Sequence, residues 1–138
     1  MKIGIKQKLD HLGSLIEELR KSSTEIGAIT IFVGVVRGTR GNEKVVRLEY
    51  EAHESLASET IEKIINEQKT KYGIIDAVVE HRTGSVTVGE DIMYVLVASK
   101  HRREGHLALS EIVERIKFEV PIWKKEITEK DGYWVENV

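Results

Sequence analysis

Apolar residues recur along the chain with two periods, and the switch between them marks the elements. Leu9, Leu12, Leu15, Ile16 and Leu19 fall at helical spacing and predict a short amphipathic helix over 9–20, weakened by Gly13. Residues 26–37 (IGAITIFVGVVR) are rich in β-branched residues and apolar on both faces, the pattern of a buried central strand. From 44 to 52 the pattern alternates. Val46, Leu48, Tyr50 and Ala52 point one way and Arg47, Glu49 and Glu51 the other, predicting a half-buried strand antiparallel to the one before it. The glycine-bearing stretch 38–42 (GTRGN) between them reads as a loop.

A second helix is predicted over 54–72 from Leu56, Ala57, Ile61, Ile64, Ile65 and Tyr72, with Gly73 as its stop. Strands follow at 74–82 and 91–99, joined by a turn-rich connection around Gly84 and Gly89. A third helix over 103–118 buries Ala108, Leu109, Ile112, Val113 and Ile116 and ends before Pro121, the only proline. Residues 122–128 read as a strand, and Asp131-Gly132 turns the chain into 133–136 as a hairpin. The predicted order is αββαββαββ, an α+β class with a mostly antiparallel sheet. The length, 138 residues, suits one domain over 1–138, with 1–25 its least distinct part.

Charge and composition narrow the function. Lys and Arg number 21 against 23 Asp and Glu, so binding of nucleic acid by bulk charge is disfavoured, and the few aromatics offer little stacking surface. No apolar run reaches membrane-spanning length, and the first twenty residues are not a signal peptide; a cytoplasmic protein with no membrane partner is expected. Cysteine is absent, which removes disulfides, thiolate metal sites and a thiol nucleophile. The histidines show no metal-ligand spacing, so no metal is expected.

Charge is unevenly spread. Residues 100–125 carry seven Lys or Arg against four Glu. His101-Arg102-Arg103 sits where a strand hands over to a helix, and amides at a helix start favour an anion. Lys117 and Lys124 flank Pro121, and the second follows Trp123. Two close ammonium groups, one desolvated against an aromatic wall, depress each other's proton affinity. Each feature also has an ordinary structural reading, as a solvated helix face or a polar corner.

An ordered set of motifs goes further: GAITIFVGVVRG (27–38), LEYEAH (48–53), HRTGSVTVGE (81–90), SKHRREG (99–105), KFEVPIWKKE (117–126) and DGYWV (131–135). Together they resemble the MoaE family, the large catalytic subunits of molybdopterin synthase. His53 departs from a common Tyr, and Gly105-His106 from a common Ala-Phe pair. The resemblance implies an α/β-hammerhead-like fold. It implies sulfur transfer from the C-terminal Gly-Gly thiocarboxylate of a small ubiquitin-like subunit to cyclic pyranopterin monophosphate, giving the dithiolene of molybdopterin. It implies a homodimer within a 2:2 heterotetramer and no permanently bound cofactor. By position, Lys117 and Lys124 match catalytic lysines. Arg37, His101 and Arg102 match residues that hold the substrate phosphate, Lys125 and Glu126 continue the substrate-contacting segment, and Phe32 matches a contact to the partner's tail. The residues alone leave a second class open: a non-catalytic dimeric module binding a ubiquitin-like tail or an anionic metabolite.

Overall fold

The computed structural model describes residues 1–135; the predicted strand position at 136 lies outside them. The element order is β1 (Lys2–Lys6), α1 (Leu12–Arg20), β2 (Ala28–Val35), β3 (Thr39–Arg40), β4 (Glu43–Ala52), α2 (Glu54–Tyr72), β5 (Asp76–Arg82), β6 (Gly84–Thr87), β7 (Asp91–Ser99), α3 (Arg102–Glu119), β8 (Ile122–Thr128) and β9 (Gly132–Val135). The class is the expected α+β with mostly antiparallel sheets. One sheet runs β1-β5-β7-β2, and the other runs β3-β4-β8-β9 with β6 also on β4.

The first sheet is covered on both faces because its strands are apolar on both. Leu15 and Leu19 of α1 pack with Val78, Tyr94, Leu96 and Ala98 on one side. On the other, Ala77, Val79, Val95 and Val97 meet Ile61, Ile64 and Ile65 of α2 and Ala108, Ile112 and Ile116 of α3. The same cluster takes in Leu48, Tyr50 and Val86 of the second sheet, so both sheets share one apolar interior.

Six expectations are corrected. The N-terminal residues form β1, which pairs parallel with β5. Fully buried Glu80 anchors it: Lys6 Nζ lies 2.8 Å from Oε2, and the Asp10 N–H donates to Oε1 at 2.8 Å. The first helix starts at Leu12 rather than 9, because His11 caps it, its Nδ1 accepting the Ser14 N–H. Strand β2 is an edge strand of its sheet and not central. Its two apolar faces are explained by cover from helices: Ile29, Ile31 and Val33 pack with the α1 cluster and Phe32 with the α3 side. Strand β4 does not pair with β2 but with β3, β6 and β8. A register shift between Val45 and Arg47 breaks its alternation, so Val45 is buried and Val46 exposed, contrary to the predicted facing. Leu56, predicted on the buried side of α2, is exposed as well.

His53 is the N-cap of α2, its Nδ1 accepting the Leu56 N–H at 3.2 Å, which explains the imidazole there. Gly73 ends α2 in the left-handed region at φ 67°. Gly105 lets α3 lie against the first sheet: a Cβ there would sit 2.6 Å from Thr30 Oγ1 and 2.7 Å from Ser99 Oγ. Gly27 is tighter still, since a Cβ would run into the backbone carbonyl oxygen of Lys100. Gly27→Ala is therefore expected to destabilise the fold by about 1–3 kcal/mol, the usual range for forcing extra volume into a packed site. Urea unfolding compared with wild type checks it.

Candidate active site

Strand β8 supplies the charge of the site through simple alternation. Ile122 and Thr128 are buried, so Lys124 and Glu126, at the same parity, face inward with them. Antiparallel pairing sets Lys124 opposite Tyr50 and Glu126 opposite Leu48 on β4. This inward face closes one side of a cavity of about 390 Å³. Its basic and polar wall is Arg37, Lys117, Lys124, Glu126 and Thr39, and its apolar wall includes Phe32, Val35, Ile92 and Met93. Lys117 comes from the last turn of α3, where its cation complements the helix dipole. Arg37 follows β2, and its Nε–H donates to the Thr39 carbonyl at 3.1 Å.

Lys124 has no hydrogen-bonded counter-ion among the described residues; its Nζ is 3.9 Å from Glu126 Oε1. Burial holds its ammonium below the ordinary lysine range, opposed by the Glu126 charge and assisted by Lys117 and Arg37. Glu126 Oε2 is buried and accepts no hydrogen bond, although Arg40 Nε stands 2.9 Å away. The contact is a charge pair without hydrogen-bond alignment, so an acceptor site on Oε2 stays open. Against the Lys124–Tyr50 pair lies His81 of β5, 2% exposed, with its ring edge-on to Tyr50 at 4.9 Å between centroids. Its Nδ1 is 2.8 Å from the Arg82 carbonyl, which can only accept, so Nδ1 carries the hydrogen. Burial lowers its pKa to about 4, keeping the imidazole neutral beside the lysine.

Not every predicted residue arrives here. Lys125 points to the opposite face of β8, its Nζ 5.7 Å from the centre of the Trp134 ring, and does not line the cavity. The strand period separates it from its neighbours, which the resemblance had grouped together. His101 and Arg102 line a separate depression with Gly27, Ala28, Lys100 and Arg103. Helical rise over the fifteen residues from Arg102 to Lys117 puts the two regions about 22 Å apart in one chain. The N-cap His101 makes no side-chain capping bond, unlike His11 and His53, so the first amides of α3 have no side-chain acceptor. His81, Tyr50 and Arg40 were not foreseen. For His81 the signal was its place at the end of an apolar strand run; Arg40 had none.

A larger, open depression of about 750 Å³ holds none of these residues, and the Arg82 guanidinium within it is engaged by the Gln7 and Ser85 carbonyls. Among the described residues no cluster of His, Asp or Glu could hold a metal, and no helix is long and apolar enough to cross a membrane.

The family model for the MoaE protein matches residues 6–119. The chain belongs to the MoaE family. A MoaE relative from Pyrococcus abyssi, named molybdopterin synthase catalytic subunit, is 42% identical over 115 residues, covering 83% of this chain and 78% of that one. The human protein of the same name is 39% identical over 111 residues, covering 80% and 59%. The crystal structure of molybdopterin synthase from Staphylococcus aureus superposes with TM-score 0.87 at 30% identity, over 96% of this chain and 95% of that one. A Helicobacter pylori structure described as a complex of subunits 1 and 2 of molybdopterin-converting factor shares the fold, with TM-score 0.78 at 22% identity over 97% and 90%.

The buried imidazole makes the stability of this chain pH-dependent in one direction. The folded pKa of His81 lies below the unfolded value near 6.5, so its contribution is full above that pH and is lost as pH falls toward 4. Between pH 7 and 4.5 the loss should be on the order of 2–3 kcal/mol. Urea unfolding at both pH values is expected to show a shallower pH dependence for His81→Phe than for wild type.

Proposed function

We propose that this chain is the catalytic subunit of a molybdopterin synthase. It moves sulfur from the C-terminal thiocarboxylate of a small ubiquitin-like subunit onto cyclic pyranopterin monophosphate, forming the dithiolene of molybdopterin. The observation that carries the reading is the convergence of Lys117, Lys124, Arg37 and Glu126 on one cavity of a MoaE chain that contains no cysteine. A chain without a thiol cannot carry the sulfur on its own cysteine, which supports delivery by a partner. The two-sided cavity suits that partner's tail: the apolar wall from Phe32 to Met93 accommodates a slender Gly-Gly backbone, and the basic wall receives its anionic end.

Replacing oxygen by sulfur at carbon needs a proton for the departing oxygen and a base for the protons released. Lys124, with lowered proton affinity and no bonded counter-ion, exchanges a proton near neutrality more readily than an ordinary lysine. Lys117 supplies the second amine from the cavity mouth. The reading assigns no resident cofactor, since the pterin is substrate and product.

The phosphate-holding role of His101 and Arg102 requires a second copy of the chain. One chain keeps them about 22 Å from Lys117, as helical rise dictates. The outer edge of β2 is unpaired among the described residues, with the His101-Arg102 corner beside its start and the lysine cavity beside its end. Two such edges meeting antiparallel about a two-fold axis bring the corner of one copy to the cavity of the other. Each completed site then takes one small subunit, giving the 2:2 assembly, with the soluble, cytoplasmic setting that such a biosynthetic enzyme implies.

The test is dithiolene formation from the precursor and a thiocarboxylated small subunit. Lys117→Ala and Lys124→Ala should each lower turnover by roughly 10²–10⁴-fold with the fold intact, and Lys→Arg should rescue poorly. A non-catalytic binding module would form no product at all. Arg102→Ala should weaken precursor binding by about 1.5–3 kcal/mol, read by calorimetry. At a precursor concentration too low to occupy the Arg102→Ala site, equal mixing of Lys124→Ala and Arg102→Ala chains should restore about a quarter of wild-type activity by random pairing in a two-fold dimer. No recovery in exchanged dimers would reject the shared site.

A further inference from the structure

We propose that Arg40 is a positioning residue that holds the Glu126 carboxylate off Lys124, leaving the lysine to face the cavity without a hydrogen-bonded counter-ion. The inference rests on the reading of Lys124 as a proton-exchanging group.

Arg40 belongs to the two-residue strand β3 and does not line the cavity. Its Nε is 2.9 Å from Glu126 Oε2, while the other carboxylate oxygen stops 3.9 Å short of Lys124 Nζ, beyond hydrogen-bond reach. Arg40 is itself braced by groups that do not line the cavity. Its guanidinium lies over the Tyr133 ring at 4.1 Å, and the Tyr133 hydroxyl donates to Glu43 Oε1 at 3.2 Å. Glu43 is the cross-strand partner of Arg40, and Tyr133 that of Glu126. Four strands, β3, β4, β9 and β8, thus fix where one carboxylate sits.

The groups around Lys124 show why that position matters. Glu126 lies on its own strand, Tyr50 faces it from β4, His81 from β5, Lys117 from α3, and Arg37 from the segment after β2. His81 is neutral, and Lys117 and Arg37 are cations. Among the groups that shift Lys124, Glu126 is the one carboxylate, and it opposes the effect of burial. A carboxylate shared with Arg40 is a weak partner for the lysine. One released from Arg40 turns onto Nζ, forms a direct ion pair and fixes the proton there.

The experiment reads Lys124 without turnover. The purified full-length chain is labelled with trace acetic anhydride across pH 7 to 11, and acetylation at Lys124 is quantified by mass spectrometry. In Arg40→Gln the midpoint for Lys124 should rise by about one pH unit, the scale of a newly formed opposite-charge contact. In the Glu126→Gln background, Arg40→Gln should produce only a small part of that rise. Arg40→Lys, which keeps the charge but loses the planar fork, should fall between wild type and Arg40→Gln. A purely structural role would lower activity without moving the midpoint. An unchanged midpoint in Arg40→Gln, or an equal rise with and without Glu126, overturns the proposal. The reconstituted assay separates the two readings: a shifted midpoint with unchanged turnover keeps the positioning role and rejects proton exchange at Lys124.

Discussion

The register between β4 and β8 is the constraint from which the site follows. Opposite-facing alternation along β8 leaves two ways to present IWKKEIT, and pairing Lys124 with Tyr50 and Glu126 with Leu48 selects one of them. The start of the strand is fixed by the His53 N–H, which donates to the Pro121 carbonyl at 3.2 Å and ties the loop before β8 to the start of α2. A slip of one residue would turn Trp123 and Lys125 inward and put Lys124 and Glu126 in solvent. Burial of Ile122 and Thr128 at the two ends opposes that slip.

Bringing a lysine into a half-buried position is costly, and the surroundings show how the cost is contained. The imidazole beside it stays neutral, because burial, assisted by the Lys124 charge, outweighs the hydrogen bond to the Arg82 carbonyl that favours the protonated ring. The single nearby carboxylate compensates the ammonium only at a distance. The result is an amine kept at the cavity wall with its proton affinity lowered by burial, which is what the proposed proton exchange calls for.

Much of this was legible in the chain. Periodicity located α2, α3, β5 and β7 to within a few residues, because each carries a long, regular apolar pattern, and β8 was bounded by Pro121 before it and Asp131-Gly132 after it. What failed to show was non-local. Strand β1 pairs in parallel with a segment more than seventy residues away, so no turn signals it. Strand β2 looked central because its apolar faces are covered by helices rather than strands. The shift at Val45 to Arg47 inverted a facing that strict alternation assigned. In the site, the separation of Lys124 from Lys125 was readable from the parity of Ile122 and Thr128, whereas Arg40 reaches Glu126 only through tertiary pairing of β3 and β9 against β4 and β8.

Helix α3 joins the basic corner at Arg102 to the amine at Lys117, and its close seat at Gly105 leaves it no freedom to slide. One residue added or lost within it would turn Lys117 by about 100° and move it about 1.5 Å. A change of length within 102–119 would therefore break the spacing between Arg102 and Lys117, whereas a residue inserted in the turn before β9 would leave both ends of the helix where they are.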